Sequence, residues 1–285
     1  MLGLLAIFKN ESHILDEWIN HYINEGVDTF YLINNGSSDN FSKIIHKYKK
    51  YIHLINDSKK NAQEELYNKY YLEKCKEHEW LLVCDLDEFV YSRHPYKNIK
   101  SYLKSITNSK INLIKIPWKA YGSSGFIQQP KSVLKNFLNR YKYPLTDYKF
   151  VECKSIIRTK DLLQLRLHEH VMDNKLSITS DNKFIIHDKL DHTLINENIL
   201  KNSFLQLNHY SIQSYNWFKK IKMTRGDAAD KNSNHVRDNT YFIKYDHNNY
   251  LDPELKNKNY SYTYETFKSS KSKQNYLSSF KIHPF

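Results

Sequence analysis

The chain has 285 residues and a formal net charge of +12, with 40% apolar residues. That is enough to bury a sizeable core, as one large α/β domain or one domain with an appendage, and it excludes a disordered chain. No internal repeat is visible, which excludes solenoids and propellers, and the positive charge can attract nucleic acid, anionic membrane or phosphorylated small molecules without deciding among them.

Leu2 to Phe8 is a continuous apolar run, as a buried parallel strand would be, cut short by Lys9-Asn10-Glu11. It is too short for a signal peptide and lacks the preceding basic residues. No stretch elsewhere approaches the roughly 20 apolar residues of a membrane span, so a soluble chain is expected. Glu11 to Glu25 carries Ile14, Leu15, Trp18 and Tyr22 on one side at a helical period, with Ile19 beside them, and Gly26 stands where a helix C-cap belongs. Thr29 to Asn34 is β-branched and aromatic and predicts a second strand. Asn35-Gly36-Ser37-Ser38-Asp39-Asn40 is a turn leading into a helix near Phe41 to Tyr48. Tyr51 to Ile55 predicts a third strand, Asn61 to His78 a long helix, and Trp80 to Cys84 a fourth strand running into Asp85-Leu86-Asp87-Glu88-Phe89. The alternation predicts a doubly wound, mostly parallel sheet, whose ligands collect at the carboxyl ends of its strands.

After about residue 100 the pattern loosens. Asn112 to Pro117 predicts a strand, followed by the Gly-rich turn Tyr121-Gly122-Ser123-Ser124-Gly125. Ser155 to Arg158 and Lys183 to His187 predict further strands, and Trp217 to Arg225 a basic helix. From about Asn232 the chain is polar, aromatic and lysine-rich, which predicts a partly ordered tail or a helical extension. Cys75, Cys84 and Cys153 are far apart and odd in number, so they read as reduced thiols in or near a core, which suits a cytoplasmic location.

The sharpest chemical feature is Asp85-Leu86-Asp87. Two carboxylates two residues apart at the end of an apolar strand can both reach one divalent ion, and oxygen donors favour Mg²⁺ or Mn²⁺ shared with substrate phosphates. D-x-D also occurs by chance in solvated loops; its place directly after Trp80-Leu81-Leu82-Val83-Cys84 argues for the metal. The second feature is Asn208-His209-Tyr210-Ser211 followed by Lys219, Lys222 and Arg225, a histidine ahead of cations at helical spacing. A metal held by Asp and His beside Lys and Arg is what a diphosphate leaving group requires.

Three segments together resemble the GT-A glycosyltransferases related to families 2 and 92. They are Lys9-Asn10-Glu11 with Glu17-Trp18 and His21-Tyr22; Trp80 through Asp85-Leu86-Asp87-Glu88-Phe89; and Asn208-His209-Tyr210 with Ser214, Phe218, Lys222, Arg225 and Gly226. The resemblance implies a Rossmann-like GT-A fold, with a mostly parallel central sheet flanked by helices and a C-terminal extension. Residues 1–110 would be the nucleotide-sugar-binding half, 111–230 the acceptor-binding half, and 231–285 a basic, aromatic extension. It also implies that Asp85, Asp87 and His209 meet the metal, with Asp87 the more direct ligand, and that Lys222 and Arg225 face the diphosphate. The loop Asn34 to Asp39, including Asn35, and the strand-end pair Asn56-Asp57 would hold the base and ribose. Many family 2 relatives have Asp where this chain has Asn34 and Asn35, which loosens the identity of the nucleotide. The implied activity is inverting transfer of a sugar from a nucleotide-diphosphate donor, a UDP-sugar, to a glycan or lipid-linked acceptor. An inverting transferase needs a base on the acceptor hydroxyl. Glu169 is the first candidate, with its neighbours His168 and His170 and with Asp147 behind it. Trp118 and Tyr121 are placed to stack on a sugar.

Two other readings use the same parts. Asp85, Asp87 and His209 could serve a metal-dependent phosphodiesterase or nuclease, although two-metal nucleases need more clustered ligands than the sequence offers. A basic, tyrosine-rich RNA binder is the other, but no RRM, KH or zinc-finger signature is present, so nucleic acid is not the expected partner. Lys268, Lys271, Lys273 and Lys281, set among Tyr, Phe and Leu, suggest a peripheral contact of the extension with an anionic membrane.

Overall fold

The computed structural model describes residues 1–185, 192–225 and 237–258. The first half contains β1 (Leu2–Phe8), α1 (Ser12–Asn24), β2 (Thr29–Asn34), α2 (Phe41–Lys47), β3 (Ile52–Asn56), α3 (Gln63–Tyr71), β4 (Trp80–Val83), β5 (Glu88–Ser92) and α4 (Ile99–Ser105). The next stretch contains β6 (Leu113–Ala120), α5 (Val133–Asn136), β7 (Asn139–Arg140), β8 (Lys149–Arg158), β9 (Leu162–Gln164), β10 (Val171–Met172) and β11 (Ser177–Thr179). β12 (His192–Ile195), α6 (Glu197–Asn202), β13 (Leu205–His209) and α7 (Tyr215–Lys220) follow, then α8 (Asn239–Tyr245), β14 (Tyr250–Leu251) and α9 (Glu254–Asn257).

One sheet runs β3-β2-β1-β4-β8-β6-β13-β5, with β11 on β6 and β12 on β8. β1 to β4 pair in parallel; β8 runs against β4, β6 and β12, and β5 runs against β13. Alternation along β1 sends Leu4 and Ala6 to one face, where Ile14, Leu15 and Trp18 of α1 cover them. It sends Leu5 to the other, against Leu66 and Tyr67 of α3. The expected boundary at residue 110 does not interrupt the sheet, because β8 and β6 continue it directly from β4. This is the mixed α/β, mainly parallel, helix-flanked architecture expected of a GT-A domain.

The early elements lie close to where periodicity puts them. Gly26 follows the end of α1 with φ +91°, a left-handed turn in which an added Cβ would strike Lys100. The expected helix from Asn61 to His78 is shorter: it ends at Tyr71, and Lys74–Glu77 is a separate 3-10 turn. Leu66, Tyr67, Tyr71 and Cys75 are buried either way, so the apolar spacing could not separate the two geometries. Likewise the basic helix expected from Trp217 to Arg225 is α7 plus a 3-10 turn at Lys222–Thr224. β8 is more than twice the length expected, because its first half gains a partner in β12. Of the strand expected at Lys183 to His187, the described part makes only an isolated bridge between Phe184 and Ile178; residues 186 and 187 lie outside the described residues.

Residues 237–258 pack on the domain. α8 lays Phe242 against Trp217 and Phe218 of α7, and β14 pairs with β7. Gly122 is a close-approach glycine, since a Cβ there would meet the His247 carbonyl oxygen at 2.3 Å. Asp252 joins Lys119 (3.0 Å) and Arg140 (2.7 Å) in a buried ion cluster. Lys268, Lys271, Lys273 and Lys281 lie outside the described residues. No described helix is long and apolar enough to cross a membrane. All three cysteines are buried free thiols.

Candidate active site

The turn between β4 and β5 carries Asp85 and Asp87, and α1 braces it. The indole N–H of Trp18 donates to the Asp85 and Glu88 carbonyl oxygens, both at 3.1 Å, and the Tyr22 hydroxyl donates to Glu88 O at 3.0 Å. Trp18 is fully buried, so its loss would cost about 3–5 kcal/mol and free the turn at once. The Trp and Tyr of the Glu17-Trp18 and His21-Tyr22 segments thus act on the site through the backbone of the D-x-D turn.

Each aspartate meets a lysine from the second half of the chain. Lys154 on β8, 1% exposed, places Nζ 3.0 Å from Asp85 Oδ2 and 3.7 Å from Glu88 Oε2, and donates to the Leu167 carbonyl at 3.2 Å. Burial works against the Lys154 charge, but Asp85 and Glu88 outweigh it and raise its pKa. Lys222 places Nζ 2.6 Å from Asp87 Oδ2, and His209 Nε2 lies 3.6 Å from Asp87 Oδ1. Burial alone would raise Asp87; Lys222 and His209 override it and hold its carboxyl well below the usual carboxylate range. Asp85 is lowered too, because Lys154 outweighs both burial and repulsion from Asp87. Glu88 goes the other way: burial pushes it well up against the attraction of Lys154, with Asp85 and Asp87 adding to the rise. Its Oε2 accepts the Asp85 N–H at 2.9 Å.

A third pair closes the site. Arg225 reaches back to Glu11 at 3.1 Å and donates to the Lys9 carbonyl at 2.9 Å. Glu11, Asp85 and Asp87 therefore face Arg225, Lys154 and Lys222, and these central charges cancel.

Trp118 on β6 lies beside this seam, its ring centroid 4.0 Å from His209 and 5.5 Å from His168. His168 shares a 3.2 Å hydrogen bond between Nδ1 and the Cys153 carbonyl, which can only accept, so Nδ1 carries the hydrogen. Glu169 is bound to Lys175 at 2.7 Å. His170 is buried; its Nδ1 accepts the Arg166 N–H, and burial lowers its pKa to about 3. Asp147 is exposed in the loop before β8.

The expected nucleoside-binding residues lie at the carboxyl edge of β2 and β3, but their polar groups mostly staple loops. Asn34 Nδ2 donates to Asn56 Oδ1 (2.9 Å) and Asn34 Oδ1 accepts the Ser37 N–H (2.8 Å). Asn35 donates to the Asp57 and Lys59 carbonyls, and Asp57 accepts from Lys59 N–H and the Tyr70 hydroxyl. Asp39 accepts the Ser12 N–H through Oδ2, while its buried Oδ1 has no partner among the described residues. Tyr121 does not fit a sugar-stacking role: it is 1% exposed, packed on Tyr210, and its hydroxyl donates to the Asp252 carbonyl. Its place in a Gly-rich turn hid the fact that its side chain points into the core.

Carboxylate oxygens and an imidazole nitrogen are suitable donors for Mg²⁺ or Mn²⁺, and Asp87 and His209 stand side by side. Among the described residues, though, no three acidic, histidine or cysteine side chains converge as a ready metal cluster, since Lys154 and Lys222 answer the two aspartates. Lys154 and Glu11 were missing from the site residues expected from sequence. The available signal for Lys154 was its place two residues ahead of Ile156-Ile157, on a strand whose burial demands a counterion.

Glycosyltransferase family 92 matches residues 6–240. No curated protein matches the chain. Solved structures that resemble it include S. aureus TarS 1–349, 16% identical with a TM-score of 0.37 over 55% of this chain and 47% of that one. Another is glucosyl-3-phosphoglycerate synthase from Mycobacterium tuberculosis, with Mn²⁺, UDP and glucosyl-3-phosphoglycerate bound (12%, TM-score 0.27, 42% of this chain and 44% of that one). HddC from Yersinia pseudotuberculosis is 9% identical with a TM-score of 0.31 over 74% and 78%. The chain spans about half the length of the first two, 47% and 44% respectively. With the family matched from residue 6 to residue 240, the chain belongs to glycosyltransferase family 92.

Proposed function

We propose that the seam of Asp85, Asp87, His209, Lys222 and Arg225 binds the diphosphate of a nucleotide-activated sugar, UDP-linked, together with a divalent cation, and that the sugar passes by inverting displacement to a glycan hydroxyl. The observation that carries this reading is the cancelled charge at the centre. A nucleotide-sugar diphosphate brings about two negative charges into a site that has no surplus of central cations among the described residues, so a divalent cation on Asp87 and His209 is the natural compensation. When bound, it stabilises the charge that develops on the leaving diphosphate. Lys222 and Arg225 add fixed positive charge to the same leaving group.

For the base, the geometry favours His168 over Glu169. The carbonyl bond at Nδ1 orients the ring, whereas the Glu169 carboxylate is engaged by Lys175. Trp118 gives the acceptor sugar a flat wall on the same side.

The experiment is calorimetric titration of UDP into the full chain, with and without Mn²⁺, with GDP and a short RNA as controls. Mn²⁺-dependent UDP binding that is lost in Asp87→Asn supports the reading. Binding of GDP in place of UDP changes the donor, and tight RNA binding with no nucleotide binding overturns the transferase site.

A further inference from the structure

β9 and β10 make a hairpin of three and two residues, too short to keep a fixed shape by its own ladder. Its tip, residues 165–170, carries His168 and Glu169, so contacts outside the hairpin must decide where His168 stands. Several come from one helix. Glu64 and Asn68 of α3 are four residues apart and share a face. The Asn68 amide meets Leu165 twice: Nδ2 donates to its carbonyl at 2.8 Å, and Oδ1 accepts its N–H at 2.9 Å. Nδ2 also donates to the Glu64 carbonyl at 2.6 Å, so a flipped amide would set its oxygen against two carbonyls. Glu64 Oε1 accepts the Leu167 N–H at 3.2 Å, and Leu165 joins Leu66 and Tyr67 in one buried cluster. The same helix reaches the acid turn, where Gln63 Nε2 donates to Asp85 Oδ1 at 3.3 Å. Lys154 bridges the same two places, from Asp85 to the Leu167 carbonyl.

We infer that Asn68 is a positioning residue: with Glu64 beside it, it seats the tip of the β9–β10 hairpin on α3 and so holds His168 beside Trp118, in register with Asp85. This rests on the reading of His168 as the base and adds what places it. The bond from His168 Nδ1 to the Cys153 carbonyl is 3.2 Å, at the long end of the range, so it persists only while the tip is held. Leu165 is fully buried, and without the Asn68 amide its N–H and carbonyl lose the partner that replaces water. The tip then reseats to satisfy them, and His168 moves with it, three residues along the same turn of chain. A base displaced by about 1 Å from its substrate hydroxyl loses up to about a hundredfold in rate. Asn68 itself touches neither Asp85 nor Trp118 among the described contacts, so its effect on the reaction passes through His168.

The test is ¹⁵N-histidine NMR on the full chain, wild type against Asn68→Ala, with the His168 signals assigned by their loss in His168→Gln. Wild type is expected to show a protonated Nδ1 at His168, as the carbonyl bond requires. Asn68→Ala is expected to lose that signature, Nδ1 moving toward the unprotonated shift, while His21 on α1 keeps its own. Asn68→Ser gives the same readout should the alanine variant fail to fold, as judged by near-UV circular dichroism. An unmoved His168 signal in the folded variant overturns the positioning role. Turnover supplies the second arm, read as release of UDP from UDP-glucose. Asn68→Ala should lower it by about tenfold or more in wild type and cause no further loss in His168→Gln, since a residue that acts through another has nothing left to act on. Equal losses in both backgrounds overturn the proposal. A His168→Gln variant as active as wild type overturns the base reading instead, and leaves the NMR result standing, so the two failures are distinguishable.

Discussion

The acids and the cations of the site come from different regions of the chain. Glu11, Asp85, Asp87 and Glu88 lie within the first ninety residues, on the parallel β1-β4 layer and its braces; Lys154, His209, Lys222 and Arg225 all lie between residues 154 and 225. The first region is regular, with strands and helices alternating on a period that its apolar residues announce. The second is irregular, with mostly short strands beside the reversed strand β8 and with two 3-10 turns, at Thr159–Asp161 and Lys222–Thr224. Each region by itself would carry uncompensated buried charge. Joined, they neutralise each other, so the seam that builds the site also helps to hold the halves together.

The largest effect is expected at Asp87. Asp87→Asn keeps the shape and removes the charge, and transfer should fall by about a thousandfold, the cost of losing a preorganised electrostatic group. The check is release of UDP from UDP-sugar, with the melting temperature recorded beside it. Activity within tenfold of wild type would mean that the seam is not the donor site. Lys154→Met attacks the same seam from the cation side. Because Lys154 is buried between two acids, the variant should lose about 3–5 kcal/mol of stability in urea unfolding. A loss below about 1 kcal/mol, the range of exposed ion pairs, would show that the halves are held by other contacts.

The base assignment sharpens the picture within the second region. His168→Gln should lower transfer by about a hundredfold or more with little change in UDP affinity, whereas Glu169→Gln should lose less than about tenfold. The reverse ranking would restore Glu169 as the base. The smallest effect is a slope. His21, from the first region, and His170, from the second, are both brought to about 3 by burial. Above their unfolded pKa of about 6.5 both are neutral in either state, and their contribution is fully present. As pH falls from there toward 3, the unfolded chain takes up protons that the folded chain refuses, and stability is lost by up to about 1.4 kcal/mol per pH unit for each histidine. Urea midpoints at pH 7.5, 6.5 and 5.5 should fall in wild type and fall less steeply in His21→Gln or His170→Gln. An unchanged slope in both variants would refute the neutral, buried state of these rings.

Much of the first region was legible because local forces decide it. A run such as Leu2 to Phe8 has no amphipathic alternative and must be buried on both faces, and Trp80 to Val83 ends where two aspartates cannot follow it into the core. The D-x-D turn, His209 and the cationic stretch stand out in the sequence and the structure brings them together, and the family is readable as a pattern. Tyr121 was misread as a ligand-facing ring because a turn's sequence does not say which way its side chains point. Nothing local in the sequence announces Lys175 as the partner of Glu169. Local pattern along the chain suffices for the alternating fold of the first hundred residues, the acids at its carboxyl edge and the family. Which cation meets which acid depends on long-range packing. An ion pair between Asp85 and Lys154, or Asp87 and Lys222, spans 69 or 135 residues, and its energy exists only once burial has removed the water that would otherwise screen it.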